Sequence, residues 1–333
     1  MSAPVVINAR AAARRETGGV ERVARELARR LPALSPGRYR AIAPPRALAH
    51  RAGQAWEQAV LPFAARRARL ILSPANLAPL AGRCNVVYIH DAAPFREPAW
   101  FGRVYGAWHR TAMRRICARA RLVLVPSQFV AGELGELLGL PGERVRVVPP
   151  GVDARFTPRA DRPLAARPYV LAVGTAGARK NLSLLDRIAP ALEAAGFETV
   201  VAGSSRGYLR EEHVGVRSLG YVDEADLPGL YAGAAALAMP SLYEGFGLPC
   251  LEAMACGTPV VASDRAALPE ACGGAALLAD PGDADAFADA LLRATGPERD
   301  RLRAAGLARV SGLTWERTAE LTDRAIGELL GPG

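Results

Sequence analysis

Short apolar runs, rich in β-branched residues, recur along this chain, and each is followed by a stretch with helical spacing. Six fall in the first half: Val5–Asn8, Tyr39–Ile42, Leu70–Leu72, Val86–His90, Leu122–Pro126 and Val145–Val148. Six more fall in the second: Tyr169–Val173, Thr199–Ala202, Val216–Leu219, Ala236–Met239, Pro259–Ala262 and Ala276–Leu278. Runs this short and this continuously apolar fit strands buried on both faces of a parallel sheet. The stretches between them read as amphipathic helices. Val20, Val23, Ala24, Leu27 and Leu31 make one apolar stripe, with arginines opposite. Pro249–Cys256 opens on a proline and stops at Gly257, the asymmetry expected of a helix. Strand–helix alternation, twice over, predicts two doubly wound α/β domains.

The length agrees, because 333 residues, half of them hydrophobic, suit two cores better than one. The break is expected in the proline-rich stretch that holds Pro149, Pro150, Pro158, Pro163 and Pro168. That gives domains at 1–160 and 161–314, with residues 315–333 carrying a last helix, Trp315–Leu330, that folds back onto the first domain. In open parallel sheets, ligands bind beyond the carboxyl ends of the strands. Two such sheets are expected to face a central cleft and to bind there.

Charge divides the halves. Residues 1–160 hold 26 Lys+Arg against 10 Asp+Glu, whereas residues 161–333 hold 16 against 23, for a net +9 overall. A basic half suits phosphates, an anionic membrane surface or nucleic acid, or is simply a solvated arginine surface. The five cysteines form no CxxC pair, which argues against a disulfide framework or a zinc site and for a reducing cytoplasm. The chain enters an apolar strand at Val5 without a signal-peptide core, and no uncharged apolar stretch reaches the ~18 residues of a membrane span. A cytoplasmic protein, soluble or peripheral, is expected.

The segment Met239-Pro-Ser-Leu-Tyr-Glu-Gly-Phe-Gly-Leu-Pro-Cys-Leu-Glu252 is the richest in chemistry. A strand ends at Met239, a glycine-rich loop follows, and a helix begins near Pro249. The N–H groups of Gly245, Phe246, Gly247 and Leu248 sit at the positive end of the helix dipole, where a sugar hydroxyl or a phosphate is held. Glu244 and Glu252 can hold different parts of one elongated ligand. The plain alternative is a glycine turn with two glutamates favoured by the dipole.

A Glu, seven residues and a second Glu, around Gly-Phe-Gly-Leu-Pro, resemble the donor-site signature of glycosyltransferase family 4. The following Glu252-Ala-Met-Ala-Cys-Gly-Thr-Pro-Val-Val-Ala-Ser263 is similar to that family as well. The resemblance implies a GT-B fold, retention of anomeric configuration and no metal. It implies that Glu244 binds hydroxyls of the donor sugar and Glu252 the ribose of its nucleotide.

Val173-Gly-Thr-Ala-Gly-Ala-Arg-Lys-Asn181 also lies between a strand and a helix, the place for a phosphate clamp. Lys180 is the one lysine in the chain, and a compact ammonium suits a pyrophosphate as a point charge. In the family a basic pair here binds the diphosphate, which makes Arg179 and Lys180 the candidates. Many members carry Arg where this chain has Thr175. Within Val86-Val-Tyr-Ile-His-Asp91, a strand-end histidine resembling His90 lies against the donor sugar in related enzymes. Asp91 either accepts a proton or caps the next turn. Thr17-Gly-Gly-Val-Glu21 resembles the family's first-domain glycine loop, with Gly18 and Gly19 approaching the donor phosphates or the acceptor; the alternative is an ordinary turn. Tyr221 and Val222, in Leu219-Gly-Tyr-Val222, would lie near the base. Ser127 reads as a helix cap.

Other features bear on metal and membrane. Asp283-Ala-Asp285 spells D-x-D but stands at a helix start, where Asp is an ordinary cap. Residues 96–121 interleave Trp100, Phe101, Tyr105 and Trp108 with Arg103, Arg110, Arg114, Arg115, Arg119 and Arg121. That composition suits a helix at an anionic membrane surface, or a core helix with a solvated arginine face. The resemblance implies a nucleotide-sugar donor, GDP-mannose first, and a glycan or lipid-linked acceptor, with no cofactor and no nucleic-acid partner. The alternatives are a nucleotide-sugar epimerase on the same plan and a non-catalytic basic binding protein on this scaffold.

Overall fold

The computed structural model describes residues 4–14, 18–45, 52–82, 84–158, 167–175, 177–203 and 215–331. Thr17 of the first glycine loop, Pro163 and the expected boundary at 160/161 lie outside the described residues. The chain divides into two compact units. The first comprises Met1–Phe95, Ala107–Gly151 and Trp315–Gly333; the second comprises Arg96–Gly106 and Val152–Thr314.

The described strands of the first unit are β1 (Val5–Asn8), β2 (Tyr39–Ile42), β3 (Leu70–Ser73), β4 (Asn85–Tyr88), β5 (Leu122–Val125) and β6 (Val145–Val147). They form a parallel sheet in the order β2-β1-β3-β4-β5-β6. Successive side chains of a strand point to opposite faces, and both faces are covered. Val5, Ile7, Leu72, Val86 and Tyr88 share a core with Leu27, Leu31, Trp315 and Ile326. Val87, Ile89, Val123 and Val125 share another with Met113, Ile116, Val130 and Leu134.

The helix Trp315–Leu330 is thus part of the first unit, with Trp315 and Ile326 fully buried. Burying a large apolar side chain contributes about 1.5–3 kcal/mol. Polar contacts fix the helix in place. Thr318 Oγ1 donates to the Pro149 carbonyl at 2.8 Å. Asp323 accepts from Ser35 Oγ at 3.0 Å, Arg38 Nη1 at 2.7 Å and Tyr39 Oη at 2.6 Å.

The second unit holds β7 (Tyr169–Val173), β8 (Glu198–Ala202), β9 (Arg217–Ser218), β10 (Ala236–Met239), β11 (Val260–Ser263) and β12 (Leu277–Ala279). They too are all parallel, in the order β12-β11-β10-β7-β8-β9. Tyr169 and Leu171 face one core with Tyr231, Leu251 and Met254. Val170 and Ala172 face another with Leu184, Ile188, Phe287 and Leu291.

Two boundaries differ from those expected. β9 keeps only Arg217 and Ser218, both exposed, because it is the sheet's edge and pairs on one side alone. The division between units falls after Gly151. From Val152 onward the chain packs with the second unit: the Val152 N–H donates to the Leu313 carbonyl at 2.8 Å, and Phe156 packs edge-on against Tyr231. Among the described residues no helix is long and apolar enough to cross a membrane.

Candidate active site

In the second sheet the chain runs outward from β7 to β8 on one side and continues from β10 on the other. Connections therefore leave β7 and β10 in opposite directions, and their carboxyl ends form the crevice where ligands bind in such sheets. The two loops singled out by sequence emerge there together. They are stitched by hydrogen bonds: Leu242 N–H to the Arg179 carbonyl at 2.8 Å, Arg179 Nη1 to the Tyr243 carbonyl at 3.3 Å, and Asn181 Nδ2 to the Pro240 carbonyl at 3.3 Å. Asn181 manages this from a left-handed backbone, φ 51°. From the next strand, Ser263 Oγ donates to the Ser241 carbonyl at 2.6 Å.

Glu244, Lys180 and Arg179, assigned by resemblance to different parts of a ligand, touch one another. Lys180 Nζ lies 2.6 Å from one Glu244 carboxylate oxygen, and Arg179 Nη1 lies 3.2 Å from the other. Burial alone would push the Glu244 carboxyl up. The Lys180 ammonium and the Arg179 guanidinium outweigh it and hold the carboxyl at about 2. Burial lowers the pKa of Lys180, with Glu244 pulling it back. With the carboxylate ionised, one negative and two positive groups leave the cluster a net cation, the charge that suits a diphosphate.

Glycines admit the backbone here. Gly247 adopts φ 109°, and a Cβ on it would lie 2.7 Å from Leu268 Cδ2. It starts the helix Leu248–Ala255, whose first turn points its N–H groups toward the loops. Phe246 is buried in the core and Leu248 packs against it, so both side chains are taken up by packing. Gly245 completes the loop and is buried. Gly174 leaves the Lys180 side chain its path, because a Cβ there would sit 3.0 Å from Cε. Thr175 is half-buried, and its carbonyl accepts from Gly177 N–H at 2.7 Å.

Glu252 is buried one turn into that helix and accepts a hydrogen bond from Tyr231 Oη at 2.9 Å. Sequence gave no motif for Tyr231; the signal available is that a buried Tyr needs a partner for its hydroxyl. Tyr221 and Val222 follow the edge strand β9, two strands from β7. Tyr221 is exposed, and Val222 packs against the core. Asp283 caps the helix Ala284–Thr295, accepting from Ala286 N–H at 3.0 Å.

In the first unit, His90 stands just beyond β4. Its N–H donates to Asn76 Oδ1 at 2.7 Å, and its ring Nε2 lies 2.9 Å from the Pro74 carbonyl. A carbonyl only accepts, so Nε2 carries the proton and Nδ1 is the acceptor. Burial lowers the pKa of His90, against the pull of the Pro74 carbonyl, Asp91 and Glu21, and so favours the neutral imidazole. Asp91 Oδ1 accepts from Ala93 N–H at 3.2 Å, which is the capping role. The Gly18 N–H is taken by Glu21 Oε2 at 3.1 Å, and Gly19 opens the helix Gly19–Leu34.

One group went unread in the sequence. Glu57, fully buried, accepts from Asn8 Nδ2 at 2.7 Å and pairs with Arg10 Nε at 2.8 Å, beyond the ends of β1 and β3. Its signal was a glutamate on the face of the helix Gly53–Ala64 that buries Trp56 and Leu61. The helix Arg103–Arg119 has a core side and an exposed side. Met113 and Ile116 are core, whereas Val104, Trp108, Arg114 and Arg115 are exposed.

Comparison with known proteins gives the family and the fold. The family described as "Glycosyltransferase Family 4" matches residues 17–156, and "Glycosyl transferases group 1" matches residues 167–296. O-antigen chain mannosyltransferase B of Escherichia coli is 32% identical over 270 residues, 72% of this chain and 69% of that relative. D-inositol 3-phosphate glycosyltransferase of Actinosynnema mirum is 35% identical over 246 residues, 64% of this chain and 59% of that relative. Among solved structures, sucrose-phosphate synthase from Thermosynechococcus elongatus shares the fold, with TM-score 0.77 and 22% identity over 99% of both chains. This chain belongs to glycosyltransferase family 4 and is a glycosyltransferase of GT-B fold.

Proposed function

We propose that this glycosyltransferase moves mannose from GDP-mannose to a hydroxyl of a glycan or lipid-linked acceptor, with retention and without a metal. The observation that carries the donor part is the buried Glu244 carboxylate held between Lys180 and Arg179 at the switch point of the second sheet. In this reading Glu244 accepts hydrogen bonds from the sugar hydroxyls and Glu252 from the ribose. Lys180, Arg179 and the N–H groups of Gly245–Leu248 stabilise charge as it develops on the leaving diphosphate, which is where fixed positive groups accelerate such a reaction. They take the place of a metal. The choice of mannose draws on the name of the Escherichia coli relative.

Glu244 is committed to two cations and is poorly suited to attack a sugar carbon. Front-side attack by the acceptor, with the leaving phosphate as base, is the route proposed for retention. His90, presenting the lone pair of Nδ1, accepts a hydrogen bond from a hydroxyl and so positions the sugar or the acceptor. A glycosyl-enzyme detected by intact mass would overturn this route. The exposed face of helix Arg103–Arg119, with Val104 and Trp108 beside arginines, supports contact with an anionic membrane surface.

A thermal-shift panel of GDP, UDP, dTDP, ADP and their sugars tests the donor reading. Ligand at 100 times its dissociation constant stabilises the native state by about 2.7 kcal/mol. GDP and GDP-mannose are expected to raise the melting temperature, and Glu252→Ala to abolish the rise. A shift with another nucleotide reassigns the base. No shift with any of them removes the donor reading.

A further inference from the structure

Trp100 belongs to the stretch whose composition suits a membrane surface, yet its ring is engaged elsewhere. Residues 96–106 lie in the connection between β4 and β5 of the first sheet but pack as part of the second unit. Glu97 accepts from Ala99 N–H at 3.2 Å and fixes the single turn Pro98–Trp100. Phe101 is buried and stacks on Tyr105 at 6.0 Å, which anchors the turn from its other side. Trp100 is then held half-buried, with its ring centroid 6.2 Å from that of Tyr243 and the planes 53° apart.

Tyr243 immediately precedes Glu244, and its carbonyl accepts from Arg179. Its ring is 5% exposed, so it serves as support, and Trp100 is the aromatic surface with area left to offer. The chemistry of the cluster makes that surface useful. A carboxylate between two cations reads hydroxyls and phosphates, but no group in it reads the apolar face of a pyranose. The C–H bonds on that face are weakly positive and the indole face is electron-rich, so the two attract as aromatic edges and faces do.

We propose that Trp100 is a specificity-determining residue of the donor site, packing on the C–H face of the transferred hexose while Glu244 holds its hydroxyls. This rests on reading the loop of Lys180 and Glu244 as the donor site. Trp100 therefore contributes to recognition of the sugar and not of the nucleotide.

Calorimetric titration of wild type, Trp100→Ala and Trp100→Phe with GDP and with GDP-mannose, and with UDP and UDP-glucose as a second pair, separates these contributions. Trp100→Ala is expected to bind the nucleotide as wild type does. It should lose about three- to tenfold in affinity for the nucleotide sugar, a loss the size of one aromatic contact. Trp100→Phe should recover part of the loss. Tryptophan fluorescence gives a second readout that survives if Trp100→Ala folds poorly. The sugar nucleotide should perturb wild-type emission beyond the effect of the nucleotide, and Trp100→Phe, which keeps Trp56, Trp108 and Trp315, should lack that difference. An unchanged ratio of the two affinities in both variants overturns the proposal. So does an equal weakening of nucleotide and nucleotide sugar, which would mark Trp100 as a support for the loop. Wild type that binds neither pair overturns the donor reading, and the proposal with it.

Discussion

Lys180 and Glu244 sustain each other's charge in a place where burial opposes both. Breaking a buried pair from one side costs about 3–5 kcal/mol, because it strands the other charge. Glu244→Gln and Lys180→Met are each expected to lower stability on that scale in urea unfolding. The double variant should be more stable than the sum of the two losses predicts, though as inactive as either. The pH dependence follows from the sign of the shift. The Glu244 carboxyl is near 2 in the folded chain against an ordinary 4.5. Its contribution is therefore full above about pH 4.5 and is lost as pH falls toward 2. Wild type should lose stability across that window, and Glu244→Gln should lose less. Both residues were legible in the sequence, one as the sole lysine and the other in a motif. Their contact was not, because it depends on β7 and β10 becoming neighbours, which no local pattern encodes.

Among elements, the helix Leu248–Ala255 depends on a start that only glycine allows. Gly247→Ala must adopt φ near 109° and displace Leu268, a strain of about 1–3 kcal/mol. It is expected to lower the melting temperature and to abolish the thermal shift with nucleotide, since the turn that aims the N–H groups moves with it. The helix Arg103–Arg119 carries a different liability. Burial lowers the pKa of His109 to about 4, against the pull of Asp91 and with Arg10 adding to the lowering. A base depressed in this way contributes stability that is full above its ordinary 6.5 and is lost as pH falls through 4. Wild type is expected to lose up to roughly 3 kcal/mol over that range, and His109→Gln to be spared it, as thermal melts at pH 7 and pH 4.5 would show. All twelve strands among the described residues could be read, because a buried parallel strand writes itself as a short apolar run. β9 was overestimated for the matching reason: an edge strand needs no such run. The left-handed turns at Asn76 and Asn181 were invisible, since their neighbours in space decide them.

At the scale of the whole molecule, and beyond the early excursion of residues 96–106, the chain passes from the first unit into the second after Gly151 and returns after Thr314. The two passages run side by side, Val152 bridging Thr314. The proline-rich stretch located the first passage only loosely, because proline marks where a helix or strand cannot continue and not which core claims the chain. The return of the last helix onto the first domain could be expected. Its polar clamp could not, since Asp323 meets Ser35, Arg38 and Tyr39 only in the fold. Asp323→Ala removes three hydrogen bonds at a partly exposed carboxylate. A loss of about 1–3 kcal/mol is expected in urea unfolding of the first unit, with nucleotide binding by the second unit unchanged.

That return has a bearing on biosynthesis. A ribosome delivers residues in order, and domains generally fold as units while the chain emerges. The first unit lacks Trp315 and Ile326 until the final helix has left the exit tunnel, by which time every residue of the second unit is already outside. The unit made later is therefore free to finish first. The earlier one waits, with the groove meant for that helix open, for most of translation. The chaperone demand of a nascent chain of this design should peak before residue 315 and end abruptly once the helix docks.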